Sequence, residues 1–204
     1  MTLALIQNER IIHSIRPLAL IVVPVVLSVY THLWNPIGFP ILYIDEGHYM
    51  RRAMNILEGV GPQETDRDFH HPFDHPYFGQ LFLAGIFKII GYPDSVNPVE
   101  GDVHSIERIW LVPRVLMGLL AVVDTFLIYK IAEKRYNRNV AFIASVLFAV
   151  MPLSLMIRSV WLESIQLPFI LLSILFATYC NSDSEKPGKI NLKNTMSILV
   201  SAIQ

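Results

Sequence analysis

The sequence predicts an all-α, polytopic membrane protein, and three observations carry that prediction. The first is composition: of 204 residues, 53% are apolar and only 16% are charged. A soluble domain carries about a quarter charged residues, and the mean hydropathy here is +0.46. The second is a set of four apolar runs, each long enough to cross a hydrocarbon core about 30 Å thick at about 1.5 Å per helical residue. The third is the placing of the charges between those runs. The net charge of −1 gives no basic surface for nucleic acid.

The first run, Pro17–Trp34, follows Arg10 and Arg16, and Trp34-Asn35-Pro36 lacks the small residues of a signal-peptidase site, so it reads as a retained span. The others are Ile109–Ala132, Val140–Ile157 and Val160–Cys180. Cys180, the sole cysteine, ends the last of these and reads as a packing residue. A fifth apolar run begins at Met196 and stops with the chain at Gln204, which points to the amino-terminal part of a longer protein. Residues 1–204 are then one piece of a single transmembrane domain.

Basic residues precede the first run, cluster at Lys130, Lys134, Arg135 and Arg138, and return at Lys186, Lys189 and Lys193. With four spans, all three segments fall on one side, which the positive-inside rule assigns to the cytoplasm together with the amino terminus. The loop 35–107 then lies outside, and it holds 11 of the 17 acidic residues.

Two helices are predicted within that loop. Tyr49, Ala53, Ile56, Leu57 and Val60 recur at helical spacing after Asp45, a good N-cap, and Gly59 ends the segment Asp45–Glu58. Pro76–Ile90 is apolar but only about 15 residues long, a length that suits a helix lying on the bilayer rather than crossing it. Crossing would also move Lys134, Arg135 and Arg138 outside and reverse the charge pattern. Pro76 starts this interfacial helix and Gly91 ends it.

Three constellations carry candidate chemistry. Asp45 and Glu46 stand at the start of a helix, whose terminus bears roughly half a positive charge and favours carboxylates. Asp45 reads either as a cap or as a general base, and Glu46 as its companion or as a solvated residue. The segment His70-His71-Pro72-Phe73-Asp74-His75-Pro76 has metal-ligand residue types. Its His-Pro pairs hold the chain extended and splay the side chains, which favours a turn delivering one His and Asp74 to the membrane surface. Glu163 sits near the outer end of the fourth run, where an ionisable group marks a functional site by default. Arg158 is its nearest partner in sequence, with Arg108 and Arg114 as alternatives. Asp124, deeper in the second run, predicts an interhelical hydrogen bond or ion pair. Acidic groups, arginines and an apolar platform at one bilayer surface suit a substrate that is part lipid and part anion, its phosphate held by Arg.

The order of these motifs resembles the GT-C glycosyltransferases, specifically the protein O-mannosyltransferase and lipid A aminoarabinose transferase group (glycosyltransferase family 39). Asp45-Glu46 matches the acidic motif after that group's first span. His75-Pro76-Tyr77-Phe78-Gly79 matches its His-Pro-Pro-Leu-Gly-type motif, with Tyr77-Phe78 in place of Pro-Leu. Arg108 or Arg114 matches an Arg before the second span. Ile157-Arg158-Ser159-Val160-Trp161-Leu162-Glu163-Ser164 matches a Ser-Arg-x-x-x-x-Asp-like segment opening the fourth span, with Glu163 in place of Asp. The likeness runs from about Pro17 to Cys180.

The resemblance implies an integral protein of the plasma membrane, or of the endoplasmic reticulum in a eukaryote, that inverts configuration at the transferred sugar. The donor is a polyprenyl- or dolichyl-phosphate sugar, mannose-like, and the acceptor a protein or glycolipid hydroxyl on the outer face. Asp45, Glu46 and Glu163 become the catalytic acids. His75, Tyr77, Arg108, Arg114 and Arg158 become substrate-binding residues. No cofactor is required, though a divalent metal ion is compatible with the chemistry. The rival reading is an ion-coupled transporter subunit in which Asp124 and Glu163 relay ions. The acidic outer loop favours the enzyme, since transporters bind near the midplane.

Overall fold

The computed structural model describes residues 2–62, 77–98 and 101–182, with side chains described for 18–62, 77–98 and 101–180. These residues form seven α-helices and no strand: α1 (Thr2–Leu33), α2 (Ile44–Leu57), α3 (Tyr77–Ile89), α4 (Val103–Arg135), α5 (Arg138–Val150), α6 (Pro152–Met156) and α7 (Leu162–Ser182). The apolar run from Met196 and the His70–His75 segment lie outside the described residues.

α4 is the central helix, packing on α1, α5 and α7, while α1 also packs on α5. α1 and α4 approach closely at Gly118, where a Cβ would stand 2.6 Å from the carbonyl oxygen of His32. The same face pairs Ser28 with Thr125, hydroxyl to hydroxyl at 2.7 Å. Among the described residues, two helices are long and apolar enough to cross a membrane: α4, and α7 over Leu162–Cys180. The apolar stretches Leu18–Leu33 of α1 and Arg138–Val150 of α5 are shorter.

The third predicted span, Val140–Ile157, is not one helix. Met151 is extended (φ −65°, ψ 132°) because the ring of Pro152 excludes the helical conformation from the residue before it. Pro152 then opens the single turn of α6, and Ser154 Oγ donates to the carbonyls of Phe148 and Met151 across the break.

Both predicted loop helices form, and they pack on each other. Tyr49, Met50 and Ala53 of α2 meet Leu83, Ala84 and Phe87 of α3, and this cluster continues into Ile109 and Met117 of α4 and Val160, Leu162 and Ile165 at the start of α7. Gly79 of α3 fits directly against Leu162. Gly59 and Gly91, with φ of +79° and +98°, end α2 and α3 in the left-handed conformation that glycine reaches at least cost. The N-cap of α2 is Tyr43, not Asp45; Glu46 reaches back to the Tyr43 N–H at 3.1 Å and closes the first turn from within. Asp45 is thereby left exposed on that turn.

Adding a methyl at Gly118 drives α1 away from α4, so Gly118→Ala should lower stability by about 1–3 kcal/mol. Gly85→Ala, which meets nothing within 4 Å, should be neutral or gain up to about 1 kcal/mol from helix propensity. Thermal unfolding in detergent checks both. The N-cap of α4, Asp102, accepts from the Ser105 hydroxyl at 2.7 Å and from the Ser105 and His104 N–H groups at 3.0 and 3.3 Å. Those bonds, the Ser105 hydroxyl first, hold its carboxyl below the ordinary aspartate range. The cap therefore stabilises α4 fully above that range and is lost as pH falls through the lowered value. Amide exchange at His104 and Ser105 should rise there in acid, and at every pH in Asp102→Ala.

Candidate functional site

Glu46 is fully buried on α2, and its carboxylate accepts four hydrogen bonds. Arg114 donates two of them, from Nη2 at 2.6 Å and Nε at 3.0 Å. The backbone N–H of Val160 donates the third at 2.9 Å, and Tyr43 N–H the fourth at 3.1 Å. These occupy the carboxylate's lone-pair positions. Arg114, 1% exposed, uses Nη1 to bind the carbonyls of Pro36 at 3.0 Å and Pro40 at 2.9 Å. One ion pair thus ties the chain after α1, the start of α2, the upper part of α4 and the turn before α7.

Glu46 and Arg114, expected as a catalytic acid and a substrate-binding residue, are engaged with each other: the Glu46 carboxylate takes four donors, and Arg114 commits its fork to Glu46 and to the backbone. Asp45, one residue earlier, is exposed and free of that network. It is carried beside the turn that links α6 to α7. Tyr43 stacks edge-on against Trp161 with ring centres 5.9 Å apart, and its hydroxyl points to the Met156 sulfur at 3.8 Å. Glu163 is exposed in the first turn of α7. Tyr77, 39% exposed, opens α3, and Gly79 two residues on fits against Leu162 at the start of α7.

Arg158 does not pair with Glu163. It precedes α7 instead of sharing its helix, and the residue is 2% exposed. Nη1 donates to Thr31 O at 2.9 Å and Nη2 to Trp34 O, both carbonyls at the carboxyl end of α1. The negative end of that helix favours a cation there. Burial and the positive charge of Arg114 push the Arg158 pKa down. Its side chain also borders a cavity of about 290 Å³ lined by Tyr30, Thr31, Trp34, Phe39 and Leu155.

Arg108 is exposed on α4, six residues before Arg114 and so about 9 Å away along the axis. His75 lies outside the described residues. Asp124 is fully buried, yet neither carboxylate oxygen has a donor among the described residues, so the predicted interhelical bond is absent there. The described residues contain no group of three or more potential metal ligands.

The aromatic residues Tyr43, Trp161 and Phe39 were missed as site components, because an aromatic in an apolar chain carries no local mark of function. Tyr30 and Trp34 carry such a mark: both stand near the carboxyl end of an apolar run, where aromatics concentrate in membrane proteins. Comparison of the chain with protein-family models, curated proteins and solved structures finds no match.

Removing the charge at position 46 leaves Arg114 buried without its counter-ion. Glu46→Gln should therefore cost about 3–5 kcal/mol, whereas Asp45→Asn should cost under about 0.5 kcal/mol, as surface changes do. Thermal unfolding of the two variants side by side tests this ranking.

Proposed function

We propose that this chain belongs to a membrane glycosyltransferase that moves a sugar from a polyprenyl-phosphate carrier to an acceptor hydroxyl on the outer face. The observation that supports it best is the convergence at the Glu46–Arg114 pair. Motifs more than 100 residues apart in sequence, Tyr43–Glu46 and Arg158–Glu163, meet there through the Val160 bond and the Tyr43–Trp161 contact. An ionisable base, Asp45, is left facing solvent beside them.

The membrane part rests on α4 and α7 and on the apolar faces that α1 and α7 present outward. Leu18, Val26 and Tyr30 of α1 are 62, 60 and 66% exposed, and Phe176 of α7 is 61% exposed. Lipid covers such faces; water does not favour them. In this reading α1, α4, α5 with α6, and α7 each cross the bilayer, while α2 and α3 rest outside. Lys130, Glu133 and Arg138 form an ion-paired cluster 16 residues below Arg114, hence about 24 Å away along α4. Lys134 sits there over the Tyr179 ring near the end of α7. The basic end and the site are thus opposite ends of one bundle, as the positive-inside rule requires.

In the reaction, Asp45 takes the proton of the acceptor hydroxyl as its oxygen bonds to the anomeric carbon. The bond from that carbon to the carrier's phosphate oxygen breaks, its electron pair leaves with the phosphate, and configuration inverts. Glu163 and Tyr77 flank the acceptor side. With Arg114 committed to Glu46, the leaving phosphate falls to Arg108 or Arg158.

One observation favours a second reading, an ion-coupled transporter subunit. Asp124 is buried with no donor among the described residues, next in the chain to Thr125, which leads through Ser28 to His32. Asp45→Asn separates the two readings. As a transferase, the variant should lose transfer from a radiolabelled polyprenyl-phosphate mannose by about 10²–10⁴-fold, the worth of a general base, with unchanged unfolding temperature. Transfer at the wild-type rate would remove Asp45 from the mechanism, and Asp124→Asn should leave transfer intact.

A further inference from the structure

The end of the bundle opposite the Glu46–Arg114 pair carries a cluster that the transferase chemistry does not use. The last turns of α4 and the first of α5 supply Lys130, Glu133, Lys134, Arg135 and Arg138, four cations around one carboxylate. Glu133 holds two of the four, Lys130 at 2.6 Å and Arg138 at 3.0 Å, and so fixes the turn between the helices. Lys134 and Arg135 are exposed and meet no carboxylate among the described residues. A helix carboxyl end favours cations, which accounts for their place in the sequence. It does not account for where the Lys134 ammonium goes. That group lies over the Tyr179 ring of α7, 4.8 Å from its centre. The contact orders a cation that its flexible stem would otherwise leave mobile.

Tyr179 also begins an apolar stripe. Leu172, Phe176 and Tyr179 recur at helical spacing along α7 and so share one face, with Phe176 61% and Tyr179 45% exposed. From Tyr179 to Leu172 the stripe runs about 10 Å along the helix, away from the charged end. An ordered ammonium and an exposed guanidinium thus stand at the head of a strip of apolar surface. One ligand chemistry meets both, an anionic headgroup carrying an acyl chain. A water-soluble anion would leave the stripe uncovered, and a zwitterionic lipid brings a cation of its own to the same place. Basic residues beside a leaflet that holds anionic lipid gain about fivefold in binding per charge.

We infer that Lys134, Arg135 and the Leu172–Phe176–Tyr179 stripe seat an anionic phospholipid of the leaflet at the basic end of the bundle. The inference rests on the membrane part of the reading above and on none of the sugar chemistry. The lipid here is a bilayer constituent, about 30 Å along α4 from Arg114, and not a sugar donor.

The chain in neutral detergent micelles is titrated against fluorescently labelled phosphatidylglycerol and phosphatidylcholine, with binding read by anisotropy. Phosphatidylglycerol should bind at least about twentyfold more tightly, and high salt should remove most of that preference. Lys134→Gln should weaken it about fivefold and the Lys134→Gln, Arg135→Gln double variant about twentyfold, the worth of one and two charges at an anionic surface. Both should leave phosphatidylcholine unaffected. Tyr179→Leu keeps the stripe apolar, removes the ring beneath the ammonium, and should weaken phosphatidylglycerol about two- to fivefold. Lys88→Gln, which removes a cation of α3 at the other end, should change nothing. All of these side chains are exposed, so unfolding temperatures should stay at the wild-type value.

Phosphatidylglycerol binding within about twofold of wild type in the double variant would overturn the assignment. So would an equal loss in Lys88→Gln, the mark of diffuse charge attraction. Glycerol phosphate competing as well as the lipid would overturn it too, as the mark of a free-anion site. A wild type that keeps the lipid preference but transfers no sugar sinks the transferase chemistry alone. Transfer with a preference indifferent to the double variant sinks the lipid seat alone.

Discussion

The buried ion pair between Glu46 and Arg114 is the constraint on which the rest of the structure depends. Two charges lose their water, at a cost of several kcal/mol each, and the site recovers it through a bidentate contact of 2.6 and 3.0 Å. Backbone groups complete the set: the carboxylate takes two N–H donors and the guanidinium takes carbonyls. Because those backbone groups belong to three separate segments, the pair also determines where the chain after α1, the first turn of α2 and the turn before α7 must lie. The apolar cluster of α2, α3, α4 and α7 closes around it. Neither the cluster nor the pair would place these segments alone. Hydrophobic burial is non-directional, and an ion pair in water is weak.

Two arginines lie close together at this end of the bundle, and their surroundings divide their roles. Arg114 meets a carboxylate and becomes part of the frame. Arg158 meets carbonyls at the negative end of α1 and, among the described residues, no carboxylate. The same contrast separates the neighbouring acids. Glu46 is enclosed and saturated, whereas Asp45 and Glu163 are exposed.

Deeper in the helices a second polar thread links α1, α4 and the α5–α6 break. Ser28 joins Thr125 and the His32 ring, and His32 Nε2 faces the Ser154 carbonyl at 3.2 Å. Thr31 reaches the Ala149 carbonyl at 2.8 Å. Small side chains make this possible, since Gly118 lets the α1 backbone come within reach. The carbonyls freed where Pro152 interrupts the helix find their partners in the same thread.

Much of the framework was legible in the amino-acid sequence. Apolar runs, glycine stops and helical spacing located α7 and the two loop helices to within about two residues and the carboxyl end of α1 to within one, because each of those signals acts over one or two turns; α1 and α4 begin 15 and 6 residues before the apolar runs they contain. The break at Met151 was legible too, in Pro152, but a hydropathy run gives it no weight. Asp45 looked like the cap because it is the best N-cap residue type there. The first turn was instead closed by Glu46, whose position was decided by Arg114. Which arginine meets which acid could not be read: Arg108, Arg114 and Arg158 are chemically equivalent along the chain, and 68 residues separate Glu46 from its partner. The sequence by itself determined the helices, since these follow from local hydropathy and spacing. Only the tertiary structure decided which charges became scaffold and which stayed free. That choice depends on which segments reach one another once the helices pack, and no local pattern encodes it.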